Sequence, residues 1–566
     1  MTVADIIIEN GNLITFGGGT GRAEAIALAG GHILAVGTNA AVRETKGPDT
    51  RVIDAQNGTV LPGFIESHIH LFSGGLELGM LDLSTSHDPA TVTAKVQEYA
   101  AQQPDAPVLY AIGAHYDLLG AGRSIDRHGL DRVIADRPFA VMAADHHTLW
   151  ANTRALALAG ILQGGNVPEG SEIVMGEDGL ATGELLESGA YEYVLAETAS
   201  GGRDLLGMTT GNDPVPPATA GQRAADKACL RAGLQHLAKT GVTTFHNMDG
   251  NFYQLELLSE IEAEGDLLCR GQIPFHLKNY DPIDRLNEAD EMRRRYDTDW
   301  LWSGRLKLFH DGVVESGTAA MLRPYPNWPD STGAPLFEPD QFNEICVRAD
   351  AMGLQICVHA IGDAAVRGTL DGYAAARAAN GSRDGRHRIE HIEVLHPDDL
   401  PRLRELDVVA SVQPLHAPWG GLFPPPAEGQ ILHEDQKPLS YACQTIRETG
   451  VPMIFSSDWP VVPVEVLPSI GAAVAPMSLG GNWTDQRQSL HDALESYTAM
   501  GAYAEFNESK KGGLVPGMFA DLVILSGDLD KVAPEDVGST SVRLTICGGR
   551  VTYDADANWD ARQGQF

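Results

Sequence analysis

The middle of the chain alternates between short apolar runs typical of β-strands and longer stretches with the apolar spacing of helices. The strand-like runs are residues 60–65, 242–246, 306–309, 355–359, 388–391, 408–412 and 452–456. The helix-like stretches are residues 338–352, 363–379 and 397–405. Strands that alternate with helices form βαβ units around a parallel sheet. A chain of 566 residues has room for a barrel of roughly 250 residues or more and for accessory structure. The sequence therefore predicts an α/β fold with a (β/α)8 TIM-like barrel.

Both ends of the chain have a different texture, with short β-branched or apolar runs broken by Gly and Asn. Chain termini often lie close together. We therefore predict one small β-sandwich domain formed by residues 1–62 and 506–566, with the barrel in residues 63–505. The segment between the strand of His68 and the strand at 242 is far longer than one crossover requires. It predicts an inserted, mainly helical lobe at about residues 73–225.

Composition excludes several classes of partner. Lys and Arg total 41 and Asp and Glu total 76, which gives a net charge of −35 at pH 7. Nucleic acids and anionic membrane surfaces are bound by clustered cations, so we expect neither as a partner. The N-terminal sequence has no signal-peptide pattern, no apolar run is long enough for a transmembrane helix, and the six cysteines contain no C-x-x-C pair. We expect a cytoplasmic protein that acts on a small molecule. We also expect a homodimer, because dimers are the commonest oligomers.

The pair His68 and His70 stands at the end of a predicted strand. Residues i and i+2 of a strand point to the same face, so both imidazoles project at the carboxyl end of a barrel, where barrel enzymes keep their active sites. A pair of this kind is expected by chance in a chain of this length with 19 histidines, so the pair alone is weak evidence for a metal site. The pair gains weight from the strand ends that follow, which carry Lys307, His359, His391 and Asp458.

This combination of neutral imidazoles and a carboxylate suits Zn²⁺ and similar divalent ions. A single buried histidine is more often a satisfied core group than a ligand. A lysine inside an apolar strand, such as Lys307, is harder to explain without a function, because burying an unpaired ammonium is costly. The set as a whole predicts a metal site at the barrel mouth.

Several phrases resemble the amidohydrolase superfamily, and the resemblance covers essentially the whole chain. LPGFIESHIH, VHAIGD, RIEH, SSDWP and the closing GGLVPGMFADLVIL carry it for the superfamily. LKLFHDGVVESGTAAM, DHHTLWANTRALALAGI and ATGELLESGA resemble its N-substituted formamide deformylase-like branch. One departure is Glu66, two residues before the histidine pair, where the superfamily usually has Asp. The extra methylene would alter support for the histidines without removing a ligand.

The resemblance implies a ligand set. His68, His70 and Asp458 would bind the more buried metal, and His359 and His391 the more exposed one. Lys307 takes the position of a lysine carbamylated by CO₂ that bridges two metals; without that modification, a mononuclear site is the alternative. Zinc is the expected ion, one or two per chain, although Mn, Fe and Co share these ligands.

We hypothesise that a metal-bound water, with its pKa lowered toward 7, attacks the substrate. Asp458 would accept its proton and pass it to the leaving amine, and the second metal would polarise the carbonyl. His416 either hydrogen-bonds the substrate or is a structural loop histidine.

Other candidates are weaker. His147, with His146 as its rival, and Trp150 are predicted to line the substrate pocket, although Trp150 is equally explained by core packing. Asp311 is predicted to support the ligands, and Glu315 either does the same or is a solvated loop charge. Gly420 and Gly421, with the prolines at 424–426, predict a shaped loop near the mouth.

The leading functional prediction is a metal-dependent hydrolase that cleaves an amide-type C–N bond, such as that of an N-substituted formamide. A carbamate, a cyclic imide or an ester would be open to the same attack. A metal-dependent isomerase or lyase, and a non-catalytic binding protein, are the alternatives from other classes.

Overall fold

The computed structural model describes residues 2–17, 22–120, 122–144, 146–168, 170–422 and 431–556. The prolines at 424–426 lie outside these ranges. The chain divides into two compact units, the first formed by Met1–His70 and Leu234–Phe566 and the second by Leu71–Gly233. No helix in the described ranges is long and apolar enough to cross a membrane.

The first unit contains a ring of parallel strand segments. In ring order they are Phe64–Ile69, Val242–Asn247, Arg270–Gln272 with Phe275–His276, Leu301–Trp302 with Arg305–Phe309, Gln355–Ala360, Arg388–His391, Val409–Val412 and Met453–Phe455. Each pairs in parallel with the next. A parallel bridge between Ile69 of the first segment and Trp459, four residues after the last segment, closes the ring. The α/β class is confirmed, and the ring closes as the predicted barrel requires. We number these segments the first to the eighth ring strand.

The ring strands are buried along nearly their whole length, as expected where helices cover the outer face of a parallel sheet. The helices of this unit after Leu234 are Phe252–Ala263, Leu286–Arg295, Pro339–Ala351, Asp363–Asn380, Leu400–Glu405, Cys443–Glu448, Val466–Val474, Leu490–Ser496 and Ala499–Ala504. The three helices predicted from sequence are among them. Pro339 begins one at the position where its missing N–H costs nothing, and Gly381, with a φ of 84° that favours glycine, follows another.

The two ends of the chain pair with each other in a second part of the first unit. One sheet contains Ala4–Glu9, Ala25–Ala29, His32–Gly37 and Lys46–Asp54. A second sheet shares an apolar core with the first. The second sheet contains Asn12–Ile14, Arg22–Ala23, Thr59–Pro62, Leu522–Leu525, Val542–Cys547 and Arg550–Asp554. Thr59–Pro62 pairs with Leu522–Leu525, so the predicted association of both termini in one β-structure is found. A short helix, Asn39–Arg43, lies between two of the strands.

The second unit contains helices, as predicted for the insert, and also a six-stranded sheet that the sequence did not predict. The strands are Leu81–Asp82, Leu109–Ala114, Phe139–Ala143, Thr148–Ala151, Glu172–Met175 and Ala181–Leu186. The helices are Leu71–Glu77, Pro89–Gln102, Arg127–Val133, Thr153–Leu158, Ser188–Leu195 and Leu206–Thr209, and Ala220–Lys239 leads into the first unit. Runs such as Phe139–Ala143 are apolar at every position, so they lack the periodicity that separates a buried strand from a buried helix.

Candidate metal centre

The histidine pair and the aspartate meet because two segments of the ring are joined at their carboxyl ends. His68 lies near the end of the first ring strand and His70 directly follows it, while Asp458 follows the eighth. The backbone N–H of Asp458 donates to the carbonyl of His68 at 2.8 Å, and the N–H of His70 donates to the carbonyl of Trp459 at 2.8 Å. These two hydrogen bonds hold the three side chains at one place.

Three imidazoles face the Asp458 carboxylate. Its Oδ1 lies 3.3 Å from His68 Nε2 and 3.1 Å from His70 Nε2, and its Oδ2 lies 4.0 Å from His391 Nε2. All four side chains are buried. Asp458 Oδ1 has no hydrogen-bond partner of good geometry within the described part of the chain. His68, His70 and Asp458 thus form a compact group of ligand atoms at the ring end.

Each imidazole is held at its other nitrogen by an acceptor. His68 Nδ1 lies 2.9 Å from Glu390 Oε2, and His70 Nδ1 lies 2.9 Å from Asp249 Oδ1. His391 Nδ1 is bonded in the same way, at 3.0 Å, to the side-chain oxygen of Gln413. Because acceptors surround Nδ1, the proton of each neutral ring belongs there, which leaves the Nε2 lone pairs directed at the Asp458 carboxylate. Lone pairs of three nitrogens and a carboxylate that converge in this way fit a divalent cation.

Electrostatics of the site agree with this arrangement for two of the imidazoles. Burial and the nearby Lys307 lower the pKa of His68 to about 4, and burial and the nearby His359 hold the pKa of His391 well below its usual value. Burial alone would raise the pKa of Asp458, but the surrounding histidines outweigh it and hold the pKa well below its ordinary value. His70 differs: burial lowers its pKa, but Asp249 and Asp458 outweigh burial and raise it to about 9. A proton and a cation compete for the same Nε2 of that ring.

Lys307 lies in the fourth ring strand, opposite Cys357 of the fifth. Its side chain is fully buried, and its Nζ has no hydrogen-bond partner among the residues that the structure describes. Burial lowers its pKa, and its amine sits 4.6 Å from the centre of the Phe309 ring. A buried amine without a partner is a costly feature that core packing does not explain.

His359 lies in the fifth ring strand, next to His391. Its Nε2 lies 3.1 Å from the carbonyl oxygen of Gly312 and 3.6 Å from Asp311 Oδ1, and its ring centre is 4.6 Å from that of His391. In the described ranges, the second compact group of ligand atoms is His391, His416 and Asp458. Binding of a second metal by His359 stays a prediction.

His416 follows the seventh ring strand and stacks on His391, with ring centres 6.0 Å apart. Its Nε2 lies 3.2 Å from the carbonyl oxygen of Ser457, and its Nδ1 lies 3.7 Å from Glu393 Oε1. Acceptors thus face both nitrogens, which favours His416 as a hydrogen-bond donor over a metal ligand.

Two buried carboxylates support the loops that carry the site. Glu66 Oε1 accepts the backbone N–H of Ser457 at 2.9 Å and of His68 at 3.4 Å, and burial raises the pKa of Glu66 to about 8. Glu66 thereby joins the first ring strand to the segment before Asp458. Asp311 is buried, with its pKa raised by burial to about 7, and accepts three backbone N–H groups, from Ala320, Ile361 and Gly362. Glu315 is exposed.

The sequence reasoning missed Asp249, Glu390, Gln413 and Glu393, which hold the four imidazoles just described. Asp249 follows the second ring strand and Gln413 the seventh, and Glu390 directly precedes His391. Polar residues at strand ends were therefore the available signal, since second partners of ligand histidines lie there.

The predicted substrate residues His147 and Trp150 belong to the second unit. His147 Nδ1 lies 3.0 and 3.1 Å from the two oxygens of Glu187. Trp150 is 1% exposed, packs in an apolar core of this unit, and also borders a cavity of about 450 Å³ lined with Tyr116, Arg123 and Glu184. His146 Nδ1 lies 3.6 Å from Glu77 Oε1. Their part in substrate binding stays a prediction.

Comparison with known proteins gives the family. The sequence model of the amidohydrolase family matches residues 51–553. The chain belongs to the amidohydrolase family. This amidohydrolase-family chain is 29% identical over 566 residues to the protein LONG AFTER FAR-RED 3 of Arabidopsis thaliana, with 97% of this chain and 92% of that protein covered. It is 26% identical over 572 residues to an N-substituted formamide deformylase of Arthrobacter pascens, with 97% and 98% covered.

The fold of this amidohydrolase-family chain also occurs among solved structures. It resembles an uncharacterized metal-dependent hydrolase from Pyrococcus horikoshii OT3 with a TM-score of 0.70 at 22% identity, over 94% of this chain and 98% of that one. The predicted superfamily is confirmed. Membership supports an enzyme that hydrolyses its substrate with the help of a divalent metal ion.

Proposed function

We propose that this protein hydrolyses an amide-type C–N bond of a small organic molecule, with an N-substituted formamide as the first substrate to test. A divalent cation, zinc before others, would be held by His68, His70 and Asp458. The observation that carries the proposal is the convergence of buried imidazole Nε2 atoms on the Asp458 carboxylate, with every Nδ1 held by an acceptor. The name of the relative from Arthrobacter pascens supports the substrate class.

A cation bound at this place would supply Lewis acidity, which polarises a carbonyl group and lowers the pKa of water. The protein's own groups handle the proton. Asp458 is ionised, because the surrounding histidines hold its pKa low, so its carboxylate accepts a proton from the attacking water and returns it to the leaving nitrogen. His416 would donate to the substrate carbonyl from Nε2, which lies 3.2 Å from the carbonyl oxygen of Ser457 in this structure, while Glu393 faces Nδ1.

We also propose that Lys307 reacts with CO₂. The neutral amine adds to the carbon of CO₂: an N–C bond forms, one C=O π bond breaks with its electron pair moving to oxygen, and the amine proton is released to water, so that the buried side chain becomes a carbamate anion. Its burial, its lowered pKa and the lack of a hydrogen-bond partner for Nζ among the described residues support the reaction. Carbon-13 NMR of protein equilibrated with ¹³CO₂ tests it: a carbamate signal is expected in the wild type and not in Lys307→Met. The same signal in both proteins would contradict the assignment.

The hydrolase proposal is tested with formamides, amides, carbamates, cyclic imides and esters in H₂¹⁸O. We expect label in the carboxylate product of the wild type. Asp458→Asn should lower turnover by about 10²- to 10⁴-fold, the range for loss of a general base. Asp521→Asn is the matched control, because Asp521 is also buried in the first unit but contacts Arg270. A product without label would favour an isomerase or lyase, and wild-type rates in Asp458→Asn would refute the proposed proton transfer.

A further inference from the structure

A chain of buried charged side chains leads from His68 into the interior of the ring. Glu390 lies in the sixth ring strand, and its Oε2 is 2.9 Å from His68 Nδ1. Arg388, two residues earlier on the same face of that strand, contacts both oxygens of this carboxylate. Its Nη2 donates to Oε2 at 2.8 Å, and its Nε lies 2.8 Å from Oε1. The side chains of Glu390 and Arg388 are fully buried and that of His68 is 1% exposed, so solvent does not screen these contacts.

Arg388 is itself fixed by three other ring strands. Its Nη2 donates to the carbonyl oxygen of Ser67 in the first strand at 2.7 Å and to the hydroxyl oxygen of Ser411 in the seventh at 2.9 Å. Its Nη1 donates to Nδ1 of His246 in the second strand, at 3.1 Å. A planar guanidinium with partners in four directions has one available orientation. Arg388 therefore sets the position of Glu390 more firmly than a single ion pair would.

The series of contacting side chains continues past His246, and its next contact explains why the His246 ring accepts the hydrogen bond from Arg388. His246 Nε2 lies 2.7 Å from Glu505 Oε2, so its single proton lies on Nε2 and its Nδ1 lone pair faces Arg388. Burial, together with Arg305, lowers the pKa of His246 to about 3, which keeps the ring neutral. Glu505 Oε1 in turn lies 2.7 Å from Lys511 Nζ. Each side chain in this series is thus oriented by its contact with the next one.

We propose that Arg388 is a positioning residue for the cation site: it holds the Glu390 carboxylate in place, and Glu390 fixes the His68 imidazole with Nε2 toward the cation. This inference rests on the proposed function, because it concerns the same site. A carboxylate that accepts the far N–H of a ligand histidine fixes its tautomer and raises its basicity. Loss of the link should therefore weaken cation binding even where the protein stays folded.

The test measures zinc affinity of the full chain, after removal of metal with a chelator, by competition with a chromogenic chelator. Glu390→Gln should lower the affinity by about 10- to 100-fold, the usual range for such partners. Arg388→Lys should lower it by about tenfold, because one ammonium does not reproduce a two-point contact with the carboxylate. Visible spectra of the cobalt-loaded proteins report the ligand field directly and should change in the same order.

Asp521→Asn provides the matched control. Asp521 is a buried carboxylate held at two points by a buried arginine, since Arg270 Nε lies 2.7 Å from its Oδ2 and Nη2 lies 3.2 Å from its Oδ1. Asp521 is not one of the contacting side chains that lead to His68. The control should lose stability in urea while its zinc affinity stays within about threefold of the wild type, which is the scatter expected for an uncoupled site.

The outcomes separate the two proposals. Zinc bound by the wild type, lost in His70→Ala, but unchanged in Glu390→Gln and Arg388→Lys would overturn the positioning role and leave the proposed function intact. A wild-type protein that binds no zinc would overturn both. If Arg388→Lys does not fold, Ser411→Ala replaces it, because that change removes one anchor of Arg388; a loss of about two- to fivefold is then expected, and an unchanged affinity would count against the proposal.

Discussion

Lys307→Met is expected to stabilise the metal-free protein, although it removes a residue of the proposed site. The Nζ of Lys307 has no hydrogen-bond partner in the described ranges, and a buried polar group left unpaired costs about 1–3 kcal/mol. A neutral amine gains only a weak N–H···π contact with the Phe309 ring, which returns about 0.5–1 kcal/mol. Methionine has nearly the same length and adapts to its surroundings. The free energy of unfolding should therefore rise by about 1 kcal/mol.

Lys511→Met is the matched variant with the opposite expectation. Lys511 is also buried, but its Nζ lies 2.7 Å from Glu505 Oε1 and donates to Thr244 Oγ1 at 3.0 Å. Removing it leaves the buried Glu505 carboxylate without its cation, which typically costs about 3–5 kcal/mol. The same chemical change should thus stabilise at one position and destabilise at the other.

Urea unfolding followed by tryptophan fluorescence measures both variants. A chelator and CO₂-free buffer keep Lys307 as the free amine during the experiment. If Lys307→Met lowers the free energy of unfolding by more than about 1 kcal/mol, the amine has a structural partner and the reasoning from its isolation is wrong. Equal losses in the two variants would refute it as well.

Three further predictions concern other residues. Asp204 is buried, and burial raises its pKa to about 6, so the folded state holds an extra proton between about pH 4 and 6 and the free energy of unfolding falls as pH rises through that window. Asp204→Asn should remove this fall, which amounts to up to about 3 kcal/mol, when urea unfolding is measured against pH. An unchanged pH dependence in the variant would count against the prediction. Trp150→Ala should cost about 3–5 kcal/mol in urea unfolding, since the side chain fills an apolar core, and a loss below about 1 kcal/mol would contradict that packing. Asp249→Asn should lower zinc affinity by about 10- to 100-fold in chelator competition, because Asp249 Oδ1 accepts from His70 Nδ1, and wild-type affinity would show that His70 needs no such partner.

The sequence alone could place His68, His70 and Asp458 together because topology decides their position. Side chains at the carboxyl ends of parallel ring strands point to one mouth, whatever the distance between them in the chain. Strand and helix positions in the ring follow from the same periodic patterns, and the pairing of the two termini follows from their shared β texture.

The sequence could mark the partners of those ligands as polar residues at strand ends, but it could not assign each partner to its histidine. His68 and Glu390 are 322 residues apart, and His70 and Asp249 are 179 apart, so strand register and rotamers decide the contacts. The turn of the His359 ring toward Gly312 is a rotamer property of the same kind. The sheet of the second unit was missed because uniformly apolar runs carry no period.

X-ray absorption at the zinc edge tests the central claim most directly. The fully loaded wild-type protein should show about two to three imidazole nitrogens and carboxylate oxygen at the roughly 2.0–2.2 Å typical of zinc. His70→Ala and Asp458→Asn should lose the bound ion or change that shell, while Asp521→Asn should keep it. A wild-type spectrum without imidazole ligands, or an unchanged shell in both site variants, would contradict a cation held by His68, His70 and Asp458.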